Sequence, residues 1–229
     1  MQKGGHRVRL QAPEHAEEER VDPKKIIEQG YDQIEDRYAT WVATNPPGVR
    51  GWFLDEVLAR LPMGADVLEL GCGPGTAAAA LANGRSYTGV DISSGQLAIA
   101  RERLPGGAFV QGDFTTIPLP AAAFDAVVSF YVFNHVPRAE QAPMFARVFS
   151  WLRPGGRFML SLGAGQSNDE VQEDWLGVPM FFASFEPDVN ERSLLAAGFE
   201  LELSETRTEV EDGEGDATFH WVIARKPSA

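Results

Sequence analysis

Apolar residues recur at three- and four-residue steps from Pro23 onward, at Ile26, Ile27, Tyr31, Ile34, Tyr38, Trp41 and Val42, and predict an amphipathic helix that Gly30 divides in two. Asn45 to Gly48 reads as a linker, and Val49 to Leu61 as a further helix with apolar residues at 49, 52, 53, 57, 58 and 61. The pattern then changes. Asp66 to Leu70 is a short apolar run holding one carboxylate and stopped by glycine, a buried strand, and Thr76 to Ala82 is an alanine-rich helix. Ser86 to Asp91 is a second strand, Gly95 to Leu104 a helix opened by a Ser93/Gln96 capping box, and Ala108 to Gln111 a third strand. Phe124 to Phe133 is the strongest strand signal, nearly continuous in apolar residues and so suited to a sheet covered on both faces. Pro137 to Leu152 is helical, Arg153 to Gly156 a turn, and Arg157 to Leu162 a fifth strand.

Past Gly163 the period disappears until Pro187, too long a stretch for an ordinary connection, and its Trp175, Leu176, Met180, Phe181, Phe182 and Phe185 point to a lid rather than disorder. Asp188 to Glu191 reads as a capping box opening a helix that stops at Gly198. Phe199 to Glu205 and Ala217 to Lys226 alternate as an antiparallel pair around an acidic loop, Glu209 to Asp216. Strands alternating with helices predict an α/β fold, a mostly parallel sheet of about seven strands wound on both sides, with N-terminal helices and an antiparallel closing strand.

Composition narrows the classes. With 229 residues, 44% of them hydrophobic and 23% charged, the chain suits one domain with trimmings, a mobile tail over 1–22 and a domain over 23–229 with its lid at 163–187. A net charge of −13 argues against a nucleic-acid partner, which needs clustered Lys and Arg. No apolar run approaches the roughly 20 residues of a membrane span, and the N-terminal stretch lacks the apolar middle of a secretory signal. Cys72 is the only cysteine, so no internal disulfide is possible. These features predict a cytoplasmic protein.

The chemistry gathers at strand ends. After Glu69, glycines fall at 71, 73 and 75, so a turn without side chains leads from strand to helix, and a ligand can approach the backbone closely. Asp91 ends the second strand twenty residues beyond Gly71, where a nucleotide fold places the acid that binds ribose hydroxyls. The loop form E-x-G-x-G-x-G, followed by Asp91, by Gly112-Asp113-Phe114 after the third strand and by Leu-Arg-Pro-Gly-Gly before the fifth, resembles the class I S-adenosylmethionine (SAM) dependent methyltransferases. The resemblance runs from about Tyr31 to Lys226 and is nearest to small-molecule enzymes that include quinone-biosynthesis methyltransferases.

It implies a Rossmann-like sheet and SAM as cofactor. Glu69, Gly71, Cys72, Gly73, Gly75, Asp91, Ile92, Gln96, Asp113, Phe114 and Phe130 are the expected cofactor-binding residues, with Tyr31 and Tyr38 covering them. In the family the acid at the position of Asp113 accepts from the adenine amino group. Tyr131, His135, Trp175, Met180 and Phe182 are the expected contacts to a small-molecule acceptor. His135, at the carboxyl end of the fourth strand, is the candidate general base, with loop ordering or cofactor packing as its alternative role. Phe130 and Tyr131 stand where metal-dependent catechol-type enzymes would carry an aspartate, so no metal is expected. Two other classes stay open: a SAM-binding protein without turnover, and an NAD-dependent oxidoreductase, against which the glycine spacing and the closing strand pair both speak.

Overall fold

A computed structural model of the protein describes residues 22–44, 48–165, 167–211 and 215–228. The expected tail lies outside the described residues apart from Asp22, as do 45–47 of the linker, 212–214 of the acidic loop, His6 and His15. Asp22 is no tail residue: its side chain accepts from the Lys24 N–H and caps α1 (Pro23–Gln33), with Pro23 ready-set for the first helical position. The helix does not break at Gly30. It ends at Gln33 with Ile34 as its C-cap, and α2 (Glu35–Thr44) follows directly. Helix α3 (Gly48–Arg60) then delivers the chain to β1 (Asp66–Leu70).

After β1 come α4 (Ala78–Ala82), β2 (Ser86–Asp91), α5 (Ser94–Arg103), β3 (Ala108–Gln111) and β4 (Phe124–Ser129). Helix α6 (Arg138–Trp151), β5 (Leu152–Gly163), a hairpin of β6 (Glu170–Trp175) and β7 (Val178–Phe182), α7 (Pro187–Ala196), β8 (Glu200–Glu211) and β9 (Gly215–Arg225) complete the chain. Seven strands form one sheet in the order β3-β2-β1-β4-β5-β9-β8. The pairings are parallel from β3 through β5, and β9 is antiparallel to both β5 and β8. The strand order reverses between β1 and β4, and ligands of such sheets bind outside the strand ends at that point.

Alternate residues serve two cores. Leu68, Leu70, Val127, Phe158, Leu160 and Val222 face α6 and α7, while Val67, Val128, Met159, Trp221 and Ile223 face α3 and α4. Burial on both faces explains the unbroken apolar run in β4. That strand nevertheless stops at Ser129. Phe130 and Tyr131 turn away, Tyr131 with φ of +58°, and Phe133–His135 form a 3-10 turn. Arg153 to Gly156 bulge out of β5 between the pairs Phe124–Leu152 and Ala126–Arg157, where a separate turn was expected.

The two expected capping boxes do not form. Gln96 leaves the Ser93 N–H to the Asp91 carboxylate, although Ser93 Oγ does accept from Gln96 N. Helix α7 starts at Pro187 after Glu186, and Asp188 pairs with Arg192 instead of capping. The closing strands are longer than their alternation implied, pairing out to Glu211 and Gly215 through most of the expected acidic loop.

The stretch 163–187 has regular structure after all. Strands β6 and β7 turn through Leu176 and Gly177, both at positive φ, as a two-residue hairpin with right-handed twist requires. This hairpin packs on α1 through Ile27, Ile34, Trp175, Met180 and Phe181, a third apolar cluster. Gly30 belongs to that contact: a Cβ there would lie 2.8 Å from Met180 Cε and 3.2 Å from the Pro179 carbonyl.

Candidate functional site

Two cavities open at the carboxyl ends of β1, β2 and β4. The first, about 80 Å³, is lined by Gly71, Gly73, Asp91, Ile92, Gln96, Asp113, Phe114 and Phe130, with Lys24, Ile27, Tyr31 and Tyr38 from α1 and α2 across it. Ten of the residues expected at the cofactor therefore share one crevice. Glu69, Cys72 and Gly75 do not reach it. Glu69 points into the core behind β1 and accepts from Tyr87 Oη at 2.5 Å, and burial raises its carboxyl to about 8. Cys72 is buried beside Gly89, and burial pushes its thiol up, out of the thiolate range. Gly75 keeps α5 close, since a Cβ there would sit 3.2 Å from the Ala100 backbone.

Asp91 is the organising acid. One oxygen accepts from Gly73 N at 2.7 Å and the other from Ser93 N at 2.9 Å, which locks the glycine loop to the end of β2. Burial raises its carboxyl to about 6 despite those bonds. Each oxygen keeps acceptor capacity for a ligand hydroxyl. Gln96 is buried as well; its Oε1 has no partner, while its amide nitrogen donates to Tyr31 O and Glu35 O. Asp113 has Lys24 Nζ at 2.9 Å, Thr115 Oγ1 at 2.8 Å and Thr115 N at 2.8 Å. Burial opposes ionisation there, but the bonds from Lys24 and Thr115 prevail and hold the carboxyl below the usual range. Lys24 also reaches Glu140 at 2.7 Å, so α1 is clamped over the crevice.

The second cavity, about 300 Å³, lies beyond this seam. Tyr131, His135, Trp175 and Phe182, four of the five expected acceptor contacts, line it. Met180 does not; it is fully buried against Gly30. Trp41, Arg50, Asn134, Glu209 and Phe219 line it too, and the sequence reading missed them because they come from five separate elements. Lys24 and Ile27 were missed at the crevice for the same reason. Only Trp41 carried a signal, its place in the aromatic row of the N-terminal helices.

Tyr31, Tyr38, Tyr131 and His135 line both cavities. His135 Nδ1 lies 2.8 Å from the Phe181 carbonyl, which can only accept, so Nδ1 carries the proton. Nε2 is then a bare acceptor, and Tyr31 Oη, at 2.9 Å, donates to it. Burial lowers the His135 imidazole to about 4, so it is neutral at physiological pH. Tyr131 donates from its Oη to Glu209 at 2.8 Å and from its N–H to Ser161 Oγ at 2.7 Å, bonds that hold its left-handed backbone in place. Among the described residues no group of three or more His, Cys, Asp or Glu is placed to hold a metal ion, and no helix is long and apolar enough to cross a membrane.

Residues 67–156 match a family model described as a methyltransferase domain. The segment is similar to a methyltransferase domain, and the seven-stranded sheet around it is a Rossmann-like fold. In particular, the chain is similar to a probable S-adenosylmethionine-dependent methyltransferase of Mycolicibacterium smegmatis, 39% identical over 105 residues, 45% of this chain and 40% of that protein. It is 40% identical over 107 residues to the trans-aconitate 2-methyltransferase of Paracidovorax citrulli, 44% of this chain and 40% of that protein. The chain thus spans well under two thirds of the length of these curated relatives. Among solved structures, the 1,6-didemethyltoxoflavin-N1-methyltransferase of Burkholderia thailandensis superposes with a TM-score of 0.68 at 20% identity, over 96% of this chain and 94% of that one. The crevice suits SAM, the cofactor of the class: the orphaned Gln96 Oε1 and the Asp91 oxygens await hydroxyl donors, and Gly71 and Gly73 present bare backbone.

Proposed function

We propose that the protein transfers a methyl group from SAM to an oxygen, nitrogen or carbon of a small-molecule acceptor. The observation that carries this reading is the shared wall: one crevice built for a nucleoside and one largely aromatic cavity meet at Tyr31, Tyr38, Tyr131 and His135. Asp91 and Gln96 would hold the ribose, and the bare backbone at Gly71 and Gly73 would leave room for the cofactor. Bound there, SAM supplies an electrophilic methyl group on a sulfonium. The protein's own work is then to align the acceptor, exclude water and accept a proton.

His135 and Tyr31 manage that proton. An acceptor O–H or N–H facing the seam passes its proton to Tyr31 Oη while Tyr31 passes its own to His135 Nε2, where the Phe181 carbonyl supports the resulting imidazolium. An acceptor that arrives ionised needs no such step. Helix α1, α2 and the β6–β7 hairpin act as the cap. At about 80 Å³ the crevice is smaller than the roughly 300 Å³ at which ligand sites begin, so α1 would have to shift to admit the cofactor, which would free Asp113 from Lys24 to contact it. We place the protein in the cytoplasm, since its lone cysteine is a neutral buried thiol.

Calorimetry with SAM and with NAD, followed by release of S-adenosylhomocysteine in the presence of phenol, amine and carboxylate acceptors, tests this reading. SAM binding with turnover supports it. SAM binding without turnover on any acceptor marks a sensor or scaffold, and NAD binding alone refutes the assignment.

A further inference from the structure

Arg50 stands out on the wall of the second cavity. It is half-buried, and among the described residues it makes no hydrogen bond and no ion pair. The carboxylate nearest in role, Glu209, lines the same cavity but is occupied by Tyr131 Oη at 2.8 and 3.1 Å. Arg50 and Glu209 are not within ion-pair distance, although the Arg50 charge favours the ionised forms of Glu209 and Glu69. A guanidinium facing a largely aromatic cavity without a partner lacks the bidentate acceptor for which its geometry is made. On another wall, Asn134 Oδ1 is buried without a hydrogen-bond partner, so a ligand donor would be accepted there.

We propose that Arg50 recognises a carboxylate on the methyl acceptor, so that the acceptor class is a flat aromatic or conjugated acid. The proposal rests on the assignment of the second cavity to the acceptor. The carboxylate anchors the molecule at Arg50, its flat body lies among Trp41, Trp175 and Phe182, and a hydroxyl or amino group elsewhere on it meets Tyr31 and His135. SAM carries a carboxylate too, on its methionine arm. The location decides for the acceptor, because Arg50 lines the second cavity and is absent from the crevice wall.

The test titrates S-adenosylhomocysteine-loaded protein with trans-cinnamate and with cinnamamide, its neutral counterpart of the same shape. Charge-assisted hydrogen bonds predict that wild type binds cinnamate about tenfold tighter. The preference should vanish in Arg50→Gln and survive in part in Arg50→Lys, with affinity for S-adenosylhomocysteine unchanged in both. Equal binding of the two probes to wild type, no binding of either, or a preference that persists in Arg50→Gln overturns the proposal. So does a tenfold loss of S-adenosylhomocysteine affinity with 5′-methylthioadenosine affinity intact, which would put the carboxylate on the cofactor. If wild type binds no S-adenosylhomocysteine at all, it is the methyltransferase assignment that fails, and the probe comparison on unliganded protein still reads Arg50.

Discussion

Replacing Tyr31 with Phe removes one oxygen and separates chemistry from architecture at the seam. Tyr31 Oη is the donor to His135 Nε2 at 2.9 Å, and His135 is buried, so the variant leaves a buried acceptor unpaired. That costs about 1–3 kcal/mol, borne by closure of α1 over the sheet, and so weakens SAM binding by roughly 5- to 150-fold at most. Loss of the proton path is a different quantity, a fall in kcat on the order of 10²–10⁴ at saturating SAM. His135→Ala should lose kcat similarly but also cuts the tether from Nδ1 to the Phe181 carbonyl, loosening the hairpin. The pH profile gives the sign. His135 works as a base only when unprotonated, and burial holds its imidazole at about 4, so kcat should fall as pH drops through about 4, with no step near 6.5. Towards pH 10 the Tyr31→Phe deficit should shrink as an acidic acceptor ionises unaided. Release of S-adenosylhomocysteine from pH 4 to 10, with calorimetry of SAM, measures all of this. Near-wild-type kcat of folded Tyr31→Phe at neutral pH would refute the relay.

Three further outcomes are expected. Asp91→Ala should weaken SAM at least tenfold by calorimetry, since the two charge-assisted ribose bonds proposed for it would be lost along with the Gly73 and Ser93 anchors; unchanged affinity in a folded variant removes Asp91 from the site. Glu69 has a folded value of about 8 against an ordinary 4.5, so its proton stabilises the fold fully below 4.5 and this contribution is lost as pH rises towards 8. Relative to Glu69→Gln, wild type should therefore lose stability by up to about 1.4 kcal/mol per pH unit across that window in urea unfolding, and a constant difference would sink the argument. Gly30→Val should wedge α1 from the Pro179 carbonyl and speed amide exchange in α1 and β7 but not in β8 or β9, whereas SAM with an acceptor slows the same amides in wild type; exchange indifferent to both changes counts against a lid.

By itself the sequence determined the sheet and the crevice, because both rest on local rules. Strand runs, a glycine turn and an acid at a strand end are contiguous signals, and the parallel fold brings the ends of β1, β2 and β3 together, so Gly71, Gly73, Asp91 and Asp113 converge without further information. Where local rules misled, a distant contact had prevailed. Gly30 looked like a helix breaker but lets Met180 and Pro179 approach α1. The hairpin was invisible because Leu176-Gly177 lacks the usual Asn-Gly signal and β6 is exposed along most of its length, so no alternation marks it. Glu69 matched the motif, yet strand parity turns it to the face of β1 opposite Leu68 and Leu70, into the core with Tyr87. The second cavity was only partly legible: Tyr131, His135, Trp175 and Phe182 were expected there, but Arg50 and Glu209 were not. Arg50, His135, Trp175 and Glu209 are scattered over some 160 positions of the sequence, and only the docking of the N-terminal helices and the hairpin on the sheet makes them neighbours.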